Sequence, residues 1–192
     1  MIRHGKIAIG IAALRVLRPA TSCYAAKLKV GDKAPDWQGL QGVDDQSHGL
    51  GDYKDAKAIV LVFTCNHCPV AKAVEDRLIQ FQKDYGEKRV QLVAVSVNDH
   101  PGDTFEKMKD RAAGKDLGRW RKTKGAFNYP YLFDPTQKIG RDYGATCTPH
   151  FFLLDGDRKI AYTGLMDDKP MRPDKVEKKY LRDAVDAVLE GK

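Results

Sequence analysis

The sequence predicts an α/β domain: a central mixed β-sheet flanked by helices, with an N-terminal β-hairpin added to it. Three observations carry this. Two uninterrupted apolar runs, Ile59–Phe63 and Val90–Val97, have the pattern of strands buried on both faces. Between them, Ala71, Val74, Leu78 and Phe81 recur at three- and four-residue steps, which makes Val70–Tyr85 an amphipathic helix. Near the end, Phe151–Leu154 and Lys159–Tyr162 flank Asp155-Gly156-Asp157, the signal of a strand pair joined by a tight turn.

The remaining elements follow in order. Residues 1–26 read as a targeting segment: Arg3, His4 and Lys6 are basic, Ile7–Leu14 is apolar, and small residues from Ala20 to Ala26 offer a cleavage point. Arg15 and Arg18 end the apolar stretch early, so an uncleaved N-terminal anchor is the alternative. The domain is expected over residues 27–192. The turn-rich stretch Gly39–Gly51 is read as the early hairpin, Thr104–Ala113 as a helix with Asp103 as its cap, and Val176–Leu189 as the closing helix. Gly114–Lys124, with Lys115, Arg119, Arg121 and Lys122, reads as a solvated basic insertion.

Composition narrows the function. A chain of 192 residues with 42% hydrophobic and 31% charged content suits one globular domain. The net charge of +7 gives a cationic surface, but no basic run carries interleaved aromatics, so nucleic acid is not an expected partner. No segment reaches the roughly 20 apolar residues of a membrane span, which leaves an N-terminal anchor as the expected membrane contact. Of four cysteines, Cys23 lies in the targeting segment and leaves with it or becomes a lipid anchor. Cys65, Cys68 and Cys147 remain, too few for a stapled scaffold.

Chemistry concentrates at Cys65-Asn66-His67-Cys68-Pro69, the junction between the strand ending at Phe63 and the helix starting at Val70. Two thiols at this spacing can close a small disulfide ring. A helix N-terminus brings unpaired N–H groups and a partial positive charge that favour thiolate. Structural zinc would need two further ligands, and the sequence has no second Cys-x-x-Cys.

Val30-Gly31-Asp32-Lys33-Ala34-Pro35-Asp36-Trp37, then Phe63-Thr64-Cys65-Asn66-His67-Cys68-Pro69, then Cys147-Thr148-Pro149-His150-Phe151-Phe152-Leu153 give the chain its resemblance. From Lys29 to Gly191 it resembles the thioredoxin superfamily, in the redoxin branch of alkyl hydroperoxide reductase and thiol-specific antioxidant sequences. The resemblance implies a thioredoxin-like fold and a thiol–disulfide oxidoreductase, with a cis Thr148–Pro149 bond facing the pair. It implies a monomer with no cofactor beyond a redox-active Cys65–Cys68 disulfide. Protein thiols or disulfides, and an upstream reductant or oxidant, would be the partners, in a periplasmic or other extracytoplasmic space. Cys65, nearer the exposed end of the helix, is expected to attack, and the more buried Cys68 to resolve the mixed disulfide.

His67 stands in the slot where oxidising members carry histidine; a positive charge and a hydrogen-bond donor beside Cys65 would stabilise its thiolate. Two departures matter. Thr64 replaces the tryptophan of thioredoxins. A peroxiredoxin places Pro and Thr seven and three residues before its peroxidatic cysteine. Those slots hold Ala58 and Val62 ahead of Cys65, and Leu61 and Cys65 ahead of Cys68, which speaks against a thiol peroxidase. Cys147 and His150, flanking Thr148-Pro149, leave three readings open: packing, a third redox-active thiol, or a Cu(I) site built from Cys65, Cys68, and Cys147 or His150 in a copper-delivery protein.

Overall fold

The computed structural model describes residues 28–115 and 125–192. The targeting segment, Cys23 and most of the basic insertion lie outside the described residues.

Seven strands form one mixed sheet: β1 (Leu40–Gly42), β2 (Ser47–His48), β3 (Ala58–Phe63), β4 (Val90–Ser96), β5 (Tyr131–Phe133), β6 (His150–Leu154) and β7 (Ile160–Gly164), in the spatial order β2-β1-β5-β4-β3-β6-β7. The two apolar runs pair in parallel, Ile59 opposite Gln91 through Phe63 opposite Val95. β6 lies antiparallel on the other side of β3, with His150 opposite Phe63. β3 is therefore a central strand, and its end delivers the Cys-x-x-Cys to the middle of the sheet rather than to an edge.

Alternation sorts the strand side chains onto two faces. Val60, Val62, Leu92, Ala94, Phe151 and Leu153 pack with Leu78 and Phe81 of α1 (Pro69–Gly86), Met108 of α2 (Phe105–Ala112), and Leu181 and Val185 of α4 (Tyr180–Leu189). Ile59, Leu61, Phe63, Val93, Val95, Phe152 and Leu154 pack with Trp37 and with Ile139 and Tyr143 of α3 (Lys138–Tyr143). The sheet is thus covered on both sides, as its unbroken apolar strands require.

The early hairpin, the amphipathic helix and the late strand pair stand close to their expected places. Other expectations are corrected. The closing helix begins at Tyr180, not Val176; a short 3-10 turn at Pro173–Lys175 precedes it, and no helical apolar spacing ties 176–179 to the core. β5 and α3 fall where the residues show no periodic signal. β5 is a three-residue strand. α3 is one turn and a half, held at its start by Asp134, whose Oδ2 accepts from Ile139 N at 2.9 Å. Gly144, at φ 66°, ends it in a left-handed conformation that glycine adopts without strain. Asp103 does not cap α2. Thr104 does, its Oγ1 accepting from Lys107 N at 3.4 Å, while the Asp103 carboxylate is engaged elsewhere. No helix among the described residues is long and apolar enough to cross a membrane.

Candidate active site at the end of the central strand

Chain direction sets the geometry. β3 ends at Phe63, Thr64 donates its N–H to Val95 O at 2.9 Å, and Cys68 becomes the N-cap of α1 with Pro69 at N1. Proline suits that position, since its missing N–H would have no helical partner. The opposite wall comes from the loop before β6, where the Thr148–Pro149 peptide bond is cis. The two cysteines meet the same residue across 80 or more positions of sequence: Cys65 Sγ lies 3.3 Å from Thr148 Oγ1, and Cys68 Sγ–H donates to Thr148 O at 3.2 Å.

Burial reverses one expectation. Cys65 is 1% exposed and Cys68 is half-buried, so the first cysteine, not the second, is the more enclosed. The reason is its position directly after a central strand. Burial pushes the Cys65 thiol above its ordinary value, chiefly by disfavouring the anion. The Thr148 hydroxyl and the Cys68 backbone N–H at the helix start act the other way, and the nearby Asp103 carboxylate reinforces the rise. The thiolate-favouring helix N-terminus is present but outweighed.

His67 is also redirected. Its Nδ1 bonds Asp103 Oδ2 rather than the Cys65 sulfur. Asp103 is almost fully buried, and its Oδ1 accepts from the backbone N–H groups of Asn66 at 2.6 Å and His67 at 3.1 Å. One carboxylate thereby clamps the dipeptide between the two cysteines. The ring of His100 stacks on that of His67 at 4.1 Å between centroids. Beneath the dipeptide, Tyr131 donates its hydroxyl to Asn66 Oδ1 at 3.1 Å. Burial, then the negative neighbours Cys65, Asp103 and Glu75, raise the Tyr131 phenol well above its usual range and keep it a donor. Glu75 of α1 and Arg111 of α2 complete the buried polar layer as a two-pronged ion pair, at 2.7 and 2.8 Å.

Cys147 and His150 do not join the pair. Cys147 is exposed, its sulfur 3.9 Å from Pro149 O. His150 lies on β6 with Nε2 3.1 Å from Thr163 Oγ1 and its ring against Phe152. Among the described residues, Cys65 and Cys68 with Cys147 or His150, the expected Cu(I) ligands, do not form a ligand cluster. Among the described residues, the metal-capable cluster is Cys65, His67 and Asp103, with ligand atoms within 4.8 Å of one another. Asp103 is the site residue that sequence reading missed. An aspartate one residue before a helix resembles a cap, and nothing local shows that it faces a loop 36 residues earlier.

The AhpC/TSA family model matches residues 30–163. An uncharacterized conserved protein from Geobacillus kaustophilus is 38% identical, with 86% of this chain and 84% of that one covered and a TM-score of 0.74. A hypothetical protein from Sinorhizobium meliloti 1021 is 33% identical, with 87% of each chain covered and a TM-score of 0.75. A protein assigned as the thiol:disulfide interchange protein DsbE of Chlorobium tepidum is 25% identical over 85% of this chain and 99% of that one, with a TM-score of 0.65. No curated protein matches the chain.

Proposed function

The chain belongs to the AhpC/TSA family, a redoxin of the thioredoxin superfamily with a thioredoxin-like fold, and we propose that it exchanges electrons with protein disulfides through Cys65 and Cys68. The observation that carries this is the shared anchor: both sulfurs contact Thr148, one its hydroxyl and one its carbonyl. Likeness to an interchange protein supports the same chemistry. The family's peroxidase chemistry is not proposed, because the proline and threonine slots ahead of both cysteines are filled by other residues.

The hydrogen bonds support a division of roles. Cys65 Sγ faces two donors, the Thr148 hydroxyl and the Cys68 N–H, so it is the sulfur fitted to hold negative charge. Cys68 Sγ–H donates to the Thr148 carbonyl, which only accepts. In the reducing direction the Cys65 thiolate attacks a substrate disulfide, forms a mixed disulfide and releases one substrate thiolate. Cys68 then loses its proton and attacks the Cys65 sulfur; the Cys65–Cys68 disulfide forms and the second substrate thiol leaves. Two electrons pass to the substrate, and an upstream dithiol restores the pair. The oxidising direction runs the same steps backwards. Cys65 is enclosed, so a partner reaches it only after the Thr148 loop or the His67 ring yields. The basic and apolar N-terminal stretch supports export to an extracytoplasmic space.

Reduction of insulin by dithiothreitol tests the reading. The protein should accelerate it, and Cys65→Ser should abolish the acceleration. Acceleration that survives Cys65→Ser refutes it. The order of attack is read by trapping: Cys68→Ser should accumulate a mixed disulfide with substrate, and accumulation by Cys65→Ser instead would reverse the roles. The equilibrium potential against glutathione gives the direction, near about −270 mV for a reductase and near about −120 mV for an oxidase.

A further inference from the structure

We propose that the reduced protein binds one divalent ion of the zinc type through Cys65, His67 and Asp103, and that forming the Cys65–Cys68 disulfide releases it. Three elements bring the ligands together: the end of β3, the turn into α1, and the loop before α2. Their ligand atoms lie within 4.8 Å of one another. Adjacent ligands of a tetrahedral zinc site, at bond lengths of about 2.0–2.3 Å, sit roughly 3.4–3.8 Å apart. His67 Nδ1 and Asp103 Oδ2, now hydrogen-bonded to each other, part to that spacing as the ion takes the place of the proton between them, and Cys65 Sγ stands within reach of both as the third corner.

The donor set selects the ion. One sulfur, one imidazole nitrogen and one carboxylate oxygen are a mixture that zinc accepts. Cu(I) favours soft sulfur, and the carboxylate gives it little; Mg²⁺ and Ca²⁺ prefer sites built of oxygen alone. Cys68 is not among the ligands, because its sulfur is turned to Thr148 O at 3.2 Å. That leaves the fourth corner for water or a substrate group, the arrangement of an open site rather than a closed structural one. Support behind the ligands is already built. Asp103 Oδ1 is held by two backbone N–H groups, which orient the carboxylate while Oδ2 faces the histidine. The His67 side chain is 38% exposed and gives an ion its way in.

Binding replaces the thiol proton of Cys65, which is released, and displaces the proton between His67 Nδ1 and Asp103 Oδ2, which passes to His67 Nε2 or to water. A disulfide sulfur no longer has the charge to hold a metal, and oxidation of the pair by a substrate disulfide expels the ion without any further reactant. This places metal binding and thiol exchange in competition for one sulfur.

The test is an anaerobic titration of the reduced, desalted protein with Zn²⁺ against a chromophoric chelator, repeated with Co²⁺ to read the sulfur-to-cobalt absorption band. One equivalent should bind the reduced chain and none the disulfide form. Cys65→Ser, His67→Ala and Asp103→Asn should each weaken binding by about tenfold or more, while Cys68→Ser stays within a few-fold of the wild type. Failure of the reduced protein to bind overturns the proposal. So does a pattern in which Cys68→Ser abolishes binding and Asp103→Asn leaves it intact, since the ion would then sit on the two sulfurs. His67 is largely at the surface, so His67→Ala decides if another variant fails to fold. The insulin assay is independent: a protein that reduces insulin but binds no zinc keeps the oxidoreductase reading and loses this one.

Discussion

Replacing Arg111 by methionine takes two N–H donors away from the buried Glu75 carboxylate between α1 and α2. The pair is 1% and 4% exposed, with Nε to Oε1 at 2.7 Å and Nη2 to Oε2 at 2.8 Å, so each carboxylate oxygen receives its own N–H. Breaking such a buried pair leaves an uncompensated charge and costs about 3–5 kcal/mol, against about 0–1 kcal/mol for an ion pair at the surface. In a domain of this length about 1 kcal/mol moves the melting temperature by roughly 2–4 °C, so Arg111→Met should lower it by about 6–20 °C. Glu75→Leu, which removes both carboxylate acceptors from the buried guanidinium, should do comparable harm. The double variant removes both charges at similar volume and should recover most of the loss. Urea unfolding followed by far-UV circular dichroism gives the three values, with an unchanged dependence on denaturant showing that the comparison is sound. A single-variant loss below about 1 kcal/mol, or a double variant no better than the worse single, would refute the reasoning.

Three further outcomes are expected. The Cys65 thiol is raised by burial, so its thiolate is a minor species at neutral pH, and its alkylation, followed residue by residue by mass spectrometry, should accelerate about tenfold per pH unit from pH 7 upward; a rate already level at neutral pH contradicts this. Asp103→Asn removes a negative charge that opposes the Cys65 thiolate, so the pH at which Cys65 alkylation levels off should move down; no movement, or movement upward, contradicts the electrostatic role. Cys147→Ser should leave insulin reduction unchanged, because the Cys147 sulfur contacts Pro149 O rather than the pair; a loss of about tenfold would restore it as a third redox thiol.

Much of the architecture was legible because it depends on local pattern. Unbroken runs such as Ala58–Phe63 and Val90–Ser96 announce strands covered on both faces, and Ala71, Val74, Leu78 and Phe81 announce the helix that follows the cysteines. β5 and α3 were silent because three and six residues are too few for a period to show. α4 starts later than Val176 because Asp168 Oδ1 takes the backbone N–H groups of Glu177 and Lys178, both at 3.1 Å, and Lys178 O accepts from Asp168 N at 3.2 Å, contacts that local pattern does not show.

The sequence alone determined which atoms are available for chemistry. Two thiols three positions apart at a strand-to-helix junction, and a Thr-Pro ahead of a later strand, are properties of residue order. What those atoms experience was decided only by the folded chain. The central placement of β3 buries Cys65 more deeply than Cys68, although a helix N-terminus by itself argues for an easily formed thiolate. Asp103, read locally as a cap, crosses to His67 and takes the hydrogen bond expected for the sulfur. Cys147 and His150, which flank the Thr148–Pro149 bond that lies against the pair, face Pro149 and Thr163 instead. Residue identity fixes donors, acceptors and spacing; burial and charge arise between segments far apart in the chain, and only their packing sets them.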